Sequence, residues 1–242
     1  MLSQGQKKFI RSLQQKKFRT AHNQFVAEGP KVVQELLQSP LRVDALYATE
    51  NCAGSFPQAE LISRKDLDSI SGFKEPNGIL AVANIPPMGE MSLDESLVLL
   101  LDSVRDPGNL GTILRVAEWF GLGQLILSPD CADVFNPKVV QSAMGSLFRM
   151  NVVTISLPKA LEKLKSGGFQ AAGAEMDGIS IQEFNRPEKM ALVMGSESHG
   201  ISAEVQGLLD VSLTISKSNP TTPIDSLNVS MATGILLSAL KA

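Results

Sequence analysis

Hydrophobic positions divide the 242-residue chain into two stretches of different rhythm. From Leu2 to about Gln38 they recur at three-to-four spacing, Phe9, Ile10 and Leu13 being followed by Val32, Val33, Leu36 and Leu37, so the pattern predicts helix. Residues 42–49 and 78–83, rich in Val, Leu, Ala and Ile, predict short strands, with Pro76 and Asn77 supplying a turn before the second. Pro86 and Pro87 are then excluded from helix and sheet interiors and mark a linker. This places a first domain at 1–84, a linker at 85–96 and a second domain at 97–242.

Beyond the linker the rhythm changes. Residues 97–104 form a strongly apolar run, interrupted only by Asp102 and Ser103, as expected of a strand buried on both faces. Further strands are predicted at 125–127, 152–155, 169–174, 191–194 and 211–215, with helices between most of them. The helix after the first strand is expected to start at Asn109 as N-cap, to bury Leu110, Ile113, Leu114 and Ala117, and to end at Gly121. A last helix is expected over 226–240. Strands alternating with helices predict an α/β fold with a parallel sheet.

Charge refines this picture. The formal net charge is −3, which argues against coating nucleic acid by charge alone. Yet residues 1–31 hold Lys7, Lys8, Arg11, Lys16, Lys17, Arg19 and Lys31 against Glu28 alone, a local basic region suited to RNA phosphates. Cys52 and Cys131, the only two cysteines, have neither metal-ligand spacing nor a disulfide framework, so no metal is expected and a reducing, cytoplasmic setting is. No apolar run approaches the roughly 18 residues of a membrane helix, and no membrane partner is expected.

Three segments lie where open α/β sheets bind ligands, past strand ends or at helix starts. They are Asp106-Pro107-Gly108-Asn109 through Arg115, Met194-Gly195-Ser196-Glu197-Ser198-His199-Gly200, and Ser226-Leu227-Asn228-Val229-Ser230. Singly each has a plain structural reading: Asn109 as a cap, Arg115 as a solvated helix residue, Gly195 and Gly200 as turn glycines.

Together, in this order and at these separations, they resemble the SpoU-type (TrmH-like) RNA 2′-O-methyltransferases of the SPOUT superfamily. The likeness covers about residues 97 to 242. A weaker one relates Phe25-Val26-Ala27-Glu28-Gly29 and Pro76-Asn77-Gly78-Ile79-Leu80-Ala81-Val82 to that family's L30e-like substrate-binding domain. The resemblance implies a deep trefoil knot in the parallel sheet, a homodimer through the C-terminal domain, and S-adenosylmethionine as methyl donor to a ribose 2′-hydroxyl. Connection rules alone would give an unknotted sheet. The resemblance also makes Arg115 the catalytic arginine, with Asn109, Ser226, Asn228 and Glu197 around it. It puts the cofactor against Met194, Gly195, Glu197, Ile215 and Leu227. Where many relatives have Ile-Pro-Met, Ile215 is followed here by a longer loop, 216–225, which weakens the placement of Ile215.

Chemistry supports these roles. Methyl transfer requires the 2′-oxygen to be aligned with the sulfonium and its growing negative charge to be met by a donor. Arg115 suits that task or the anchoring of a phosphate. A role as base conflicts with a guanidinium pKa above about 12, and the sequence leaves the choice open. His22 is expected to be solvated, His199 to lie at the rim, and Trp119 and Phe120 to pack.

Competing enzyme classes fare worse. The turn after the first strand lacks the G-x-G-x-x-G of a nicotinamide-dependent oxidoreductase, and Ser198 has no G-x-S-x-G elbow. A non-catalytic RNA-binding assembly factor of the same fold is the alternative from another class. Ribosomal RNA is favoured over transfer RNA, because a basic substrate-binding extension fits folded RNA read by shape and phosphates.

Overall fold

The computed structural model describes residues 2–219, 221–223 and 225–241. Pro220 and Ile224 of the long 216–225 loop thus lie outside the described residues. The chain forms two compact units, Met1–Pro87 with Asp133–Arg149, and Met88–Ala132 with Met150–Ala242.

In the first unit, α1 (Gln4–Ser12) opens with a capping box in which Ser3 and Gln6 satisfy each other's backbone N–H groups. Helix α2 (Lys16–His22) ends at Asn23, whose φ of 53° is left-handed. The chain then enters β1 (Gln24–Glu28), which interrupts the helix expected from Leu2 to Gln38. Phe25, Val26 and Ala27 are consecutive and all buried. A single helical stripe cannot bury three successive residues, whereas a strand covered on both faces can. Next come α3 (Pro30–Leu37), β2 (Val43–Ala48), α4 (Glu50–Ala53), β3 (Glu60–Leu61), α5 (Arg64–Ile70) and β4 (Ile79–Asn84). The sheet order is β1-β4-β2-β3, with β4 antiparallel to both neighbours and β2 parallel to β3. Leu2, Ile10, Leu13, Val26, Tyr47 and Leu67 belong to one core cluster.

The second unit begins with β5 (Leu97–Leu101), α6 (Pro107–Trp119) and β6 (Gln124–Leu127). After Ala132 the chain passes to the first unit for α7 (Pro137–Ala143) and a 3-10 turn at Ser146–Phe148. There Phe135 and Phe148 lie 4.9 and 6.0 Å, centroid to centroid, from Phe25 of β1. Residues 133–149, expected inside the 97–242 domain, therefore complete the core of the first unit. Their periodicity carries no label for the sheet they cover. The chain returns for β7 (Asn151–Thr154), α8 (Leu157–Ser166), β8 (Gln170–Ser180), β9 (Met190–Met194), α9 (Ala203–Gln206), β10 (Val211–Thr214) and α10 (Val229–Lys241).

These six strands form a parallel sheet in the order β10-β8-β9-β5-β6-β7. All five residues of β5 and all five of β9 are buried, each large apolar side chain contributing about 1.5–3 kcal/mol before entropy. From β5 the chain runs outward through β6 and β7, then crosses to the other side, where β9 lies beside β5, β8 beyond it and β10 at the edge. The crevice past the carboxyl ends of β5 and β9 is therefore the sheet's switch point.

Candidate active site

Local structure at the start of α6 differs from expectation in a way that matters for chemistry. Asp106, not Asn109, is the N-cap: its Oδ1 accepts the Asn109 N–H at 2.8 Å, and Pro107 takes the first helical position. Proline is suited to that position because it has no N–H to satisfy. Asn109 is thereby released from capping, and its side chain faces other partners.

Those partners come from the other two motifs. Asn109 Nδ2 donates to Glu197 Oε1 at 2.8 Å, while Asn228 Nδ2 donates to Asn109 Oδ1 at 2.9 Å and to Glu197 Oε1 at 2.7 Å. Three residues separated by 88, 31 and 119 positions thus meet in one closed network. Both amide donors converge on one carboxylate oxygen. Glu197 Oε2 accepts no hydrogen bond among the described residues and is open to solvent or a ligand.

Backbone geometry shapes the loop that carries Glu197. Ser196 and Gly200 exchange two backbone hydrogen bonds of 2.9 Å each, and Gly200 has φ +65°. A side chain at Gly195 would come within 2.2 Å of the Gly200 carbonyl carbon, so this hairpin closes only with glycine there. Buried Asp102, just past β5, secures the far side: its Oδ2 accepts the Ser202 N–H at 2.8 Å and its own N–H donates to the Met194 carbonyl at 2.8 Å.

Asn228 also sets the start of α10. Its Oδ1 accepts the Ser230 N–H at 3.0 Å and the Ser230 hydroxyl at 2.6 Å, so the helix begins at Val229 rather than at Ser226 as expected. Ser226 and Leu227 consequently remain in the preceding loop. There, with Met194, Gly195, Glu197 and Ile215, they line a cavity of about 730 Å³, within the range of small-molecule sites. Leu227 is 47% exposed, an apolar side chain left at the cavity edge. Ile215 lines the cavity, and Ser216, Lys217 and Asp225 from the longer loop behind it form part of the wall.

Arg115 is exposed on α6 and makes no hydrogen bond or ion pair among the described residues. Asn109 and Arg115 are six positions apart in α6, about 120° around the helix, so Arg115 does not join the amide network. Trp119, one turn after Arg115, is 85% exposed rather than packed. Phe120 is half-buried at the helix end. His199 lines the cavity, its Nδ1 2.7 Å from the Ser198 hydroxyl, and His22 is exposed with its ring edge against Phe9.

The basic N-terminal residues divide into two groups. Lys8, Arg11, Lys16 and Lys17 are exposed. Arg19 is corrected: it is only 2% exposed, its Nε donates to Asp133 at 3.1 Å, and its Nη1 donates to the Leu13 and Gln14 carbonyls at 2.9 Å each. With its donors so engaged it ties the α1–α2 connection to residue 133 and has no surface for RNA. Lys7 pairs with Asp66 at 2.5 Å, a bond that holds the Asp66 carboxyl below its usual range.

Sequence reasoning missed two features that shape the cavity. One is Asp102, whose position at the end of an apolar run was the available signal. The other is the length of β8, expected to end at residue 174. Ser212 and Leu213 of β10, adjacent in sequence, pair with Gly173 and Ile179 of β8, so residues 174–178 leave the ladder as an excursion. Asp177-Gly178 inside a strand-like segment was its mark.

Comparison with known proteins agrees with this arrangement. Residues 96–238 match the family model described as SpoU rRNA Methylase family, and residues 6–81 match the one described as MRM3-like substrate binding domain. The chain is 33% identical over 237 residues to the 23S rRNA (guanosine(2553)-2′-O)-methyltransferase RlmP of Bacillus subtilis, covering 96% of this chain and 94% of that protein. Among solved structures, a protein of the TrmH family from Porphyromonas gingivalis has TM-score 0.89 and 40% identity over 99% of this chain and 98% of its own. An AdoMet-bound rRNA methyltransferase from Sinorhizobium meliloti has TM-score 0.86 and 25% identity over 100% of this chain and 96% of its own.

Proposed function

Because this chain belongs to the SpoU rRNA methylase family, we propose that it transfers a methyl group from S-adenosylmethionine to a ribose 2′-hydroxyl of ribosomal RNA. The observation that carries this reading is the closed Asn109–Glu197–Asn228 network, which gathers all three motifs beside one cavity. The cavity's volume and its mixture of loop backbone with Met194, Ile215 and Leu227 fit a nucleoside cofactor whose adenine edge meets N–H and C=O groups. Bound there, S-adenosylmethionine supplies the activated methyl group.

This chain's own residues perform the rest. Arg115 presents its guanidinium fork to the RNA, stabilising charge that develops on the 2′-oxygen and gripping the adjacent phosphate. Asn109 and Asn228 fix Glu197 so that Oε2 faces the reaction space, and Ser226 offers a hydroxyl at the same edge. We extend the proposal to the trefoil knot, supported by the convergence of loops 195–200, 215–219 and 225–227 on one cavity. It also covers an L30e-like first domain at 1–84 that binds the substrate, supported by the match over 6–81 and by exposed Lys8, Arg11, Lys16 and Lys17. A homodimer through the 97–242 domain is supported by Trp119, Met231 and Ile235, exposed apolar residues on α6 and α10, helices that pack together.

The test is transfer of labelled methyl from S-adenosylmethionine to ribosomal and transfer RNA from cells lacking the protein, with mapping of alkali-resistant linkages. A ribosomal site restored by wild type but not by Arg115→Ala is the expected result. Transfer to tRNA alone would reassign the substrate, and no transfer with no cofactor binding would leave a non-catalytic RNA-binding protein.

A further inference from the structure

The excursion of β8 gives the cavity a carboxylate that the methyl-transfer chemistry described above does not use. Glu175 lies on the cavity wall, half-buried, within residues 174–178. Both of its oxygens are held by neutral donors: Gln206 Nε2 from α9 on Oε1 and the Ser212 hydroxyl from β10 on Oε2. The excursion itself is stitched down, the Thr214 hydroxyl donating to the Met176 carbonyl at 2.8 Å. Where it rejoins the sheet, a side chain on Gly178 would come within 2.4 Å of the Ser212 carbonyl oxygen, so the return path requires glycine. Glu175 is therefore fixed in place rather than free to swing into solvent.

Its charge is uncompensated. Glu175 forms no ion pair among the described residues. The ionisable wall around it consists of Glu197 and Asp225, with Lys217 of opposite sign and His199. A partly desolvated wall with more carboxylates than ammonium groups favours a cation over a neutral ligand of the same shape, because the interaction is less screened there than in bulk water.

Resting on the function proposed above, we infer that Glu175 is a specificity-determining residue that makes the cavity prefer the cationic cofactor to its neutral product. S-adenosylmethionine carries one more positive charge than S-adenosylhomocysteine, since transfer of the methyl group converts a sulfonium to a thioether. A fixed negative charge on the wall thus strengthens donor binding and favours product release, with no contact to RNA required. Neutral donors hold Glu175 in position without cancelling that charge, which an arginine or lysine partner would do.

Calorimetric binding of S-adenosylmethionine, S-adenosylhomocysteine and sinefungin, whose extra amine replaces the sulfonium charge, tests this inference. In Glu175→Gln, affinity for the two cationic ligands should fall about fivefold and that for S-adenosylhomocysteine less than twofold, the size expected of one partly screened charge. An equal loss for all three would mean that Glu175 holds a group common to them and would overturn the charge role, as would no loss for any. Wild-type protein gives an independent reading: its preference for S-adenosylmethionine over S-adenosylhomocysteine should shrink as salt is raised, and a salt-independent preference also overturns the proposal. If wild type binds none of the three ligands, it is the methyltransferase reading that fails.

Discussion

Glu28 and Glu197 are bonded almost alike and placed oppositely. Glu28, closing β1, accepts the Gly72 N–H at 2.9 Å and the Ser71 hydroxyl, while Glu197 accepts two asparagine amides. Neither makes an ion pair among the described residues. Glu28 is 3% exposed and Glu197 is exposed. The same neutral hydrogen bonding therefore serves two ends. In the first unit it secures a loop inside the core, and in the second it aims a carboxylate whose second oxygen is left for something else to meet.

The sharpest test of this contrast removes each functional group in turn. Arg115→Ala is expected to lower methyl transfer by about 100- to 1000-fold, as loss of a charge-stabilising donor does. Because the Arg115 side chain is exposed and makes no hydrogen bond or ion pair among the described residues, its removal should leave the melting temperature unchanged. Glu197→Ala should cost about 100-fold in transfer, with stability altered by no more than about 0.5 kcal/mol. In Glu28→Ala the pattern inverts. Leaving the Gly72 N–H without its acceptor should cost about 2–3 kcal/mol of stability to chemical denaturation, while S-adenosylmethionine affinity stays at the wild-type value. Loss of cofactor binding in Glu28→Ala, or a large stability loss in Glu197→Ala, would erase the distinction.

Titration sharpens the comparison at smaller amplitude. Burial raises the Glu28 pKa above its ordinary 4.5, against the lowering effect of the Gly72 and Ser71 hydrogen bonds. A carboxyl whose native pKa exceeds the unfolded value is more readily protonated in the folded state. Its contribution to stability is full below 4.5 and is lost as pH rises through the raised native pKa. Wild type should therefore lose stability relative to Glu28→Gln across that interval, and urea titrations at stepped pH measure the difference. A difference that does not vary with pH would mean that burial leaves this proton unperturbed.

Much of the second unit was legible in sequence because its central strands, β5 and β9, are uninterrupted apolar runs. The six strands expected after the linker all occur, and one residue from each of the three motifs, Asn109, Glu197 and Asn228, meets the others in one network that Arg115 does not join. Errors fell where one residue served two purposes or where partners were distant in sequence. Asn109 has the side chain of a cap, but Asp106-Pro107 starts the helix earlier and releases it. Residues 133–149 have helical periodicity, yet only the three-dimensional packing of Phe135 and Phe148 on Phe25 assigns them to the first unit. β1 was hidden because the apolar run Phe25–Ala27 is only three residues long, too short to stand out from the helical patterns on either side of it.

Arg19 and Lys16 repeat the contrast within one helix, α2, and give the smallest expected effect. The residues share a charge, and sequence placed both on RNA, but Arg19 is buried against Asp133 and two backbone carbonyls whereas Lys16 is exposed. A cation that neutralises a phosphate displaces counterions, so its removal changes the dependence of RNA affinity on salt as well as the affinity. Lys16→Ala should lower the slope of log affinity against log salt by somewhat less than about 1 and leave stability unaltered. Arg19→Ala should leave that slope intact at temperatures where the protein is folded and should destabilise the first unit, since Asp133 and the Leu13 and Gln14 carbonyls lose their donor. An unchanged slope in Lys16→Ala, with a reduced one in folded Arg19→Ala, would mean that burial does not separate structural from RNA-facing cations in this helix.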